Sequence, residues 1–324
     1  MKLKEALTYD DVLLVPQYSD IKSRKEIDIG NDLDSRIHLD LPIISSPMDT
    51  VTESDMSMAL MNVGGLGIIH RYNTIQGQCK LVKDITTAGY RAAAVGVTGA
   101  YLKRAVNLFD AGVNVICVDV AHGHHILMKE AIVAIREEIG DMVHIMAGNV
   151  ATLQGFNDLS DWGADSVRCN IGGGSICSTI MDCARSDRDT KIIADGGIRS
   201  SGDIVKALAA GADFVMLGSL LGGTSESPGE KVVTLGGAKK KYRGMASKDA
   251  QIDWRGKYNS NEGVSTLIDF KGPVGLILDD LTKGIKSGLS YSGCRTIEEL
   301  QTKAQFVRQT SAGLGESRTH ILFK

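Results

Sequence analysis

The sequence predicts an α/β fold, a single-domain (β/α)8 or TIM barrel, on three observations. The chain has 324 residues, and a barrel of eight strands and eight helices needs roughly 250. Eight short apolar runs recur along it, most of them near-continuous in Val, Ile, Ala and Met, as in parallel strands covered on both faces. The stretches between them have helical periodicity, for example Leu102–Ala111 and His125–Ile139. The predicted strands are Leu41–Ser46, Gly65–His70, Ala92–Val97, Val113–Val120, Val143–Ala147, Ala164–Cys169, Lys191–Asp195 and Ala212–Leu217.

A doubly wound open sheet is the alternative fold with the same alternation of strands and helices. Eight units without a visible switch point in the strand order favour the barrel. We expect one domain over residues 1–324, with an N-terminal extension before the first strand. A short active-site flap is expected at about 243–262, and C-terminal helices with a tail at 274–324.

Composition excludes several classes of function. Net charge is −3 with both signs mixed throughout, so no nucleic-acid or membrane surface is expected. No run approaches the roughly 18 apolar residues of a membrane span, and the N-terminus lacks an apolar signal segment. The six cysteines include no CxxC pair and are expected to be reduced, which favours a cytoplasmic protein. The basic triplet Lys239–Lys241 is expected to form a solvated turn.

Polar residues and glycines follow most of the predicted strands. In a barrel these carboxyl ends face one mouth, where the chemistry takes place. Asp195–Gly197 and Gly218-Ser219 follow the seventh and eighth strands. That position is the usual phosphate site of such barrels, since loop amides and a helix N-terminus meet an anion there. The sequence therefore predicts a phosphorylated ligand.

The glycine-rich run from Gly172 to Thr179 contains Cys177. Three consecutive glycines allow a tight loop that turns backbone groups toward a ligand, and a cysteine at its end is placed to attack a substrate. A buried cysteine that follows a glycine-rich turn is the structural alternative, because free cysteine is usually a small buried hydrophobe.

Six motifs, in order along nearly the whole chain, resemble those of the inosine monophosphate (IMP) dehydrogenase/guanosine monophosphate (GMP) reductase family. They are Thr8–Pro16, Ser46–Glu53, Ala147–Thr152, Gly174–Cys177, Ala194–Ile198 and Tyr242–Met245.

This resemblance implies a role for each matched residue. Cys177 is the nucleophile that attacks C2 of the purine, and Thr179 and Glu262 pass protons. The coenzyme, NADPH with NAD as the alternative, meets Asp119, Asn149 and Arg168. A K⁺ ion is bound by the carbonyls of Gly172, Gly174 and Cys177. The substrate nucleotide is bound by Ser46, Met48, Ser175, Asp195, Gly197, Gly218, Ser219, Tyr242, Gly244 and Met245.

Within the family, two features favour a GMP reductase, which converts GMP and NADPH to IMP and ammonia. A dehydrogenase must activate water, a task that the family assigns to a long flap with an adjacent Arg-Tyr pair. Here the segment Lys248–Asn261 is short and has no such dipeptide, although Arg255 and Tyr258 lie close together. The regulatory insert that most dehydrogenases carry is also missing between His70 and Ala92.

Other features favour a minimal IMP dehydrogenase, which converts IMP and NAD to xanthosine monophosphate. The segments Met48–Glu53 and Ala147–Thr152 and the tail Ser311–Ser317 resemble dehydrogenases more closely. One departure from the family pattern weakens both the reductase and the dehydrogenase assignment. The chain lacks the longer loop that normally follows the catalytic cysteine, since Thr179 passes almost directly into Ile180. A catalytically weak nucleotide-binding barrel, or a barrel enzyme for another phosphorylated substrate, therefore stays open. The resemblance implies a purine mononucleotide substrate and a homotetramer.

Overall fold

The computed structural model describes residues 6–171, 176–257 and 263–316. The strands, numbered in chain order, are β1 (Val12–Leu14), β2 (Asn31–Asp34), β3 (Ile37–Leu39), β4 (Ile43–Ser45), β5 (Leu66–Ile69), β6 (Ala92–Val95), β7 (Val115–Asp119), β8 (His144–Val150), β9 (Ser166–Cys169), β10 (Lys191–Asp195), β11 (Phe214–Leu217), β12 (Lys231–Thr234), β13 (Gly237–Arg243), β14 (Ser265–Asp269) and β15 (Phe306–Arg308).

Strands β4 to β11 form a closed parallel barrel in which each strand pairs with the next along the chain. The last strand returns to the first, with Val215 paired to Ile43 and Met216 to Ile44. All eight strands fall on the predicted runs. The (β/α)8 barrel is therefore confirmed, and the open sheet is excluded by the β11–β4 pairing.

Helices occupy the connections between the strands, and one more follows the last strand. They are α1 (Ser54–Met61), α2 (Ile75–Lys83), α3 (Tyr101–Asp110), α4 (Ile126–Ile139), α5 (Leu153–Asp161), α6 (Ile176–Cys183), α7 (Ser201–Ala209), α8 (Lys248–Arg255), α9 (Val274–Tyr291), α10 (Ile297–Lys303) and α11 (Ser311–Glu316). Several begin where a Thr or Ser side chain accepts a hydrogen bond from the first turn, as Thr152 does from Gly155 and Ser200 from Asp203. None of the described helices has the length and apolarity to cross a membrane.

Alternate residues of each barrel strand pack into two separate cores, which explains why the strands are apolar throughout. Ala92 and Ala94 point into the barrel interior with Phe214, whereas Ala93 and Val95 pack outward against the helices. Successive side chains of a strand point to opposite faces, so burial of both faces removes the polar alternation of a half-exposed strand.

The hairpin of β2 and β3 closes the amino-terminal end of the barrel. Leu33, Ile37 and Leu39 belong to the interior core. Its Asp34 lies 2.9 Å from Nδ1 of the fully buried His144 at the start of β8, and Nε2 of that ring lies 2.8 Å from Oγ of Ser166. This Asp-His-Ser chain resembles a hydrolytic triad in connectivity, but its serine is fully buried at the end of the barrel opposite the mouth. It therefore fastens the hairpin to the barrel.

An insertion between β11 and α9 carries an antiparallel sheet, β12–β13–β14, and helix α8. The solvated turn expected at Lys239–Lys241 is wrong, because these residues lie in β13. Lys240 is 4% exposed, and its Nζ donates to the carbonyls of Thr224 at 3.0 Å and Ser227 at 2.5 Å. The cation is thus satisfied by carbonyls that the sequence pattern does not reveal.

Candidate active site

The carboxyl ends of the barrel strands and the insertion enclose a cavity of about 470 Å³. Eight of the predicted site residues line it, and they come from six different segments of the chain. They are Ser46, Met48, Asp119, Asn149, Arg168, Asp195, Gly244 and Met245. The remaining lining residues are Pro47, Arg71, Tyr72, Val120, Ala121, Asn170, Ile171 and Ala246.

Arg168 lies at the centre of the cavity wall and joins two carboxylates. Its Nη1 donates to Asp119 Oδ1 at 2.6 Å, and its Nη2 and Nε donate to Asp195 Oδ2 at 2.8 and 3.1 Å. Arg71 donates from Nε to the other oxygen of Asp119 at 3.2 Å. Two arginines and two aspartates thus form one charge-balanced chain across the ends of four strands.

This network of charges determines the protonation states of Asp119 and Arg168. Burial alone would raise the pKa of Asp119, but the guanidinium groups of Arg168 and Arg71 outweigh it and lower the pKa below its usual value. Burial likewise disfavours the charged form of Arg168, yet Asp195 and Asp119 raise the pKa of its guanidinium well above the usual value. Both groups are therefore charged at neutral pH.

Asn149 connects this network of arginines and aspartates to the neighbouring loop by hydrogen bonds. Its Nδ2 donates to Asp195 Oδ2 at 2.7 Å and to the carbonyl of Asn170 at 2.9 Å. The preceding Gly148 allows this approach, since an added Cβ would lie 2.6 Å from the Cβ of Arg168 and 2.8 Å from its carbonyl oxygen. Any larger residue there would push the two strands apart.

A second group of predicted residues meets beside the cavity, after β11. A Cβ added to Gly218 would lie 3.3 Å from both Met48 Sδ and the Tyr242 hydroxyl, and 3.5 Å from Ser46 Oγ. Burial and the charge of Asp195 raise the pKa of Tyr242. A hydrogen bond with Ser219 lowers it, but by less. The phenol is therefore a neutral donor at physiological pH. Gly197, at the end of β10, has φ +68°, a conformation that favours glycine.

The insertion is fastened over the cavity by one arginine. Arg243 Nη2 donates to Asp49 Oδ2 at 2.5 Å, and Nη1 pairs with Asp253 of α8. Beside it, the backbone N–H of Asp49 contacts Met245 Sδ at 3.4 Å, and the Tyr72 hydroxyl donates to the carbonyl of Met245 at 2.9 Å. No sequence pattern points to the Arg243–Asp49 pair, whose members are 194 positions apart.

Cys177 lies in the first turn of α6 and is fully buried in the outer core. It is absent from the lining of the described cavity, as is the buried Thr179. Burial raises the pKa of the Cys177 thiol to about 11, although Lys206 opposes the shift. Next to it, Ser178 binds Leu7 of the N-terminal extension through Oγ at 2.7 Å and its own N–H at 3.2 Å.

In this conformation the thiol is therefore packed as a core side chain rather than presented on a loop. The physical reason is that α6 begins one residue before Cys177, so the thiol belongs to a helix whose buried face packs on the outer core. The predicted residues Gly172, Gly174, Ser175 and Glu262 lie outside the described residues. Their roles, and the K⁺ site that includes two of them, stay predictions.

Comparisons with known proteins agree with this geometry. A model of the IMP dehydrogenase/GMP reductase domain matches residues 6–320. The inosine-5'-monophosphate dehydrogenase of Nitrosopumilus maritimus is 34% identical over 472 aligned positions that cover 99% of each chain. The GMP reductase of Leishmania donovani is 31% identical over 482 positions, which cover 99% of this chain and 98% of its own.

A solved structure is similar over nearly the whole length of both chains. It is a cysteine-to-alanine variant of GMP reductase from Trypanosoma brucei in complex with guanosine 5'-monophosphate, with a TM-score of 0.93, 29% identity and 98% of both chains covered. The chain therefore belongs to the IMP dehydrogenase/GMP reductase family, an oxidoreductase family of purine metabolism.

Proposed function

We propose that this protein is a GMP reductase that converts GMP and NADPH to IMP and ammonia through a covalent adduct of Cys177 at purine C2. One observation carries the nucleotide assignment: residues matched to nucleotide contacts converge on one cavity and on the Gly218 loop beside it. The GMP complex of the T. brucei reductase, whose chain is similar over 98% of its length, supports a purine mononucleotide here.

Asp195 is arranged to bind ribose hydroxyls. Asn149 and Arg168 both donate to its Oδ2, and in the described part of the chain no donor occupies Oδ1. That oxygen is thus available to accept hydrogen bonds from a ribose, while the arginine keeps the carboxylate in place. The neutral phenol of Tyr242 with Ser219 provides hydroxyl donors for the 5'-phosphate.

Cys177 must ionise and become exposed before it can attack. The buried thiol with a pKa of about 11 is almost entirely protonated at neutral pH. Its place in the first turn of α6 supplies the positive end of a helix dipole, and Lys206 acts in the same direction. We infer that nucleotide binding displaces the start of α6 from the core, after which these two fields stabilise the thiolate.

The reaction then follows from the residues. The thiolate adds to C2 of GMP, and the C2–N bond breaks with release of ammonia, to which Thr179 and Glu262 deliver the proton. NADPH, when bound, would supply the hydride that takes the place of the amino group at C2, after which the C2–S bond breaks to release IMP and return the Cys177 thiolate. Asp119 and Asn149 lie in the wall where the nicotinamide end is expected, and Asp119 is held ionised there. K⁺ at the carbonyls of Gly172, Gly174 and Cys177 would order the cysteine loop.

The flap supports the reductase over the dehydrogenase. Helix α8 ends at Arg255, and Arg243 fastens it to the barrel through Asp253. A flap that is short in sequence, lacks an Arg-Tyr dipeptide and has its helix α8 fastened to the barrel is a poor candidate for a mobile water-activating flap.

The missing insert, in contrast, does not discriminate between the two enzymes. Alignments with the N. maritimus dehydrogenase and the L. donovani reductase both run well beyond the 324 residues of this chain, so both relatives carry long insertions. The expectation that its absence favours a reductase is therefore wrong.

A minimal IMP dehydrogenase is the second candidate. The dehydrogenase of N. maritimus is more similar in sequence, at 34%, than the L. donovani reductase, at 31%. In that case another group would have to activate water, because the flap has no Arg-Tyr dipeptide.

Two absorbance assays at 340 nm with K⁺ present separate the candidates. We expect loss of absorbance with GMP plus NADPH and no gain with IMP plus NAD. Cys177→Ala should abolish turnover and leave GMP binding within about threefold of the wild type, because the residue is outside the cavity wall. A gain in the IMP assay alone would identify the dehydrogenase. GMP binding without turnover in either assay would identify a catalytically weak binding barrel.

A further inference from the structure

A second cavity, of about 300 Å³, adjoins the nucleotide cavity and shares Arg71 with it. It lies at the start of α3, after β6, and α8 of the insertion covers it. Besides Arg71 it is lined by Ile75, Gly96, Thr98, Gly99, Ala100, Tyr101, Arg104, Trp254 and Arg255. Three arginines therefore line one small space, and none of the described residues that line it is acidic.

The charges around this cavity do not balance within the described residues. Arg71 shares Asp119 with Arg168, and that carboxylate belongs to the balanced chain described above. Arg104 binds neutral partners, the side-chain oxygen of Gln78 at 2.6 Å and the carbonyl of Asn73 at 2.9 Å. Arg255 makes no ion pair within the described part of the chain. Two positive charges are thus in excess.

The backbone adds to this imbalance. Helix α3 has ten residues, its N-cap Ala100 provides no side-chain hydrogen bond, and its first turn contains no acidic residue. Its first N–H groups, and the positive end of its dipole, therefore face the cavity without a partner from the cap. Burial lowers the pKa of Arg104, and the positive charge of Arg71 lowers it further, a repulsion that an anion would relieve.

Trp254 fixes the cover of the cavity. Its ring stacks on Tyr72 with a centroid distance of 5.7 Å and an interplanar angle of 14°. Tyr72 in turn lies under the Arg71 guanidinium at 5.4 Å. This contact holds α8, and with it Arg255, against the barrel.

We propose that this cavity is a phosphomonoester site that receives the 2'-phosphate of NADPH and so sets the preference for that coenzyme. The assignment rests on the proposed function for the coenzyme, but the site itself rests on the three arginines, the uncapped helix and the shared wall. Two excess positive charges match a phosphomonoester dianion, and guanidinium groups bind phosphate in bidentate geometry. A coenzyme bound along Asp119 and Arg71 enters this space directly from the nucleotide cavity.

The test uses the full-length protein and the variant Arg255→Gln, which changes an exposed side chain without an ion pair in the described residues. Lys257→Gln is the matched control, because it removes a positive charge from the same flap and lines neither cavity. Isothermal titration calorimetry measures binding of adenosine 2',5'-bisphosphate, of AMP and of inorganic phosphate. These probes do not depend on turnover.

We expect the wild type and Lys257→Gln to bind the bisphosphate at least about tenfold more tightly than AMP, a preference that Arg255→Gln loses while AMP affinity is unchanged. In the 340 nm assay Arg255→Gln should raise the KM for NADPH about tenfold and leave the KM for NADH and kcat unchanged.

Equal affinity of the wild type for bisphosphate and AMP would overturn the proposal. So would binding of inorganic phosphate without a preference for the bisphosphate, which would indicate a site for free anions. If the bisphosphate preference is present but GMP plus NADPH gives no turnover, this inference stands and the reductase assignment fails.

Discussion

The buried thiol of Cys177 predicts slow alkylation of the ligand-free protein. Burial raises its pKa from 9.0 to about 11, a difference that lowers the thiolate fraction at neutral pH about 100-fold. A more basic thiolate is also a better nucleophile, and a Brønsted slope of about 0.45 returns a factor of about 8. The net expectation is a rate about tenfold below that of free cysteine, and restricted access to the core lowers it further.

The pH dependence is the sharper measurement. Between about pH 6.5 and 9.5 the rate for Cys177 should rise tenfold per unit without levelling, because the whole range lies below the pKa of about 11. Free N-acetylcysteine, treated in parallel, should level off near its own pKa. Iodoacetamide labelling followed by mass spectrometry of the Cys177 peptide gives both rates, with the half-buried Cys79 as an internal reference.

A rate equal to that of free cysteine, or a plateau below about pH 9, would refute the reasoning. Either result would mean that the thiol is exposed and activated before any nucleotide binds, and that α6 is already displaced in the ligand-free protein. Circular dichroism at each pH verifies that the fold is retained over the range.

Three further predictions concern the charge networks. Arg168→Gln leaves two buried carboxylates without their shared cation and should reduce the free energy of unfolding by about 3–5 kcal/mol in urea titrations. A measured loss under about 1 kcal/mol would contradict this. Burial opposes ionisation of Asp34, but hydrogen bonds from His144 and the backbone outweigh burial and lower the pKa of this carboxyl. The resulting stability is fully present above the ordinary pKa of 3.8 and is lost progressively as the pH falls from there through the lowered folded-state pKa. Asp34→Asn should therefore cost about 1–3 kcal/mol at pH 7 and progressively less below pH 3.8, whereas a cost that is independent of pH in urea titrations would contradict this. Arg243→Gln removes the pairing with Asp49 and should speed limited proteolysis within the flap at least about tenfold, whereas unchanged cleavage would show that other contacts hold α8.

Pairing between distant elements explains what sequence reasoning missed. The predicted residues at the strand ends meet in one cavity because all eight strands run in one direction, which the apolar runs already implied. The contacts of Arg243 with Asp49 and of Leu7 with Ser178 depend on how the insertion and the N-terminal extension fold back over the barrel. No local sequence pattern predicts where these two segments contact the barrel.

The insertion illustrates the same limit. The charged residues of Lys239–Lys241 predict a solvated segment. In the strand that they form, successive side chains point to opposite faces, and Lys240 is buried against two carbonyls. A single buried lysine among charged neighbours has no signature in composition, since the partners are backbone atoms that any sequence supplies.

The sequence by itself determined the barrel, its strand positions and the family, because doubly covered parallel strands require continuous apolar runs and the nucleotide loops require particular glycines and polar residues in order. Tertiary structure alone decided which charges pair, that Arg168 joins two strands' carboxylates, and that three arginines surround a second cavity. It also decided that Cys177 is buried. These properties depend on distances between segments far apart in the chain, and burial and electrostatic energy follow those distances rather than sequence order.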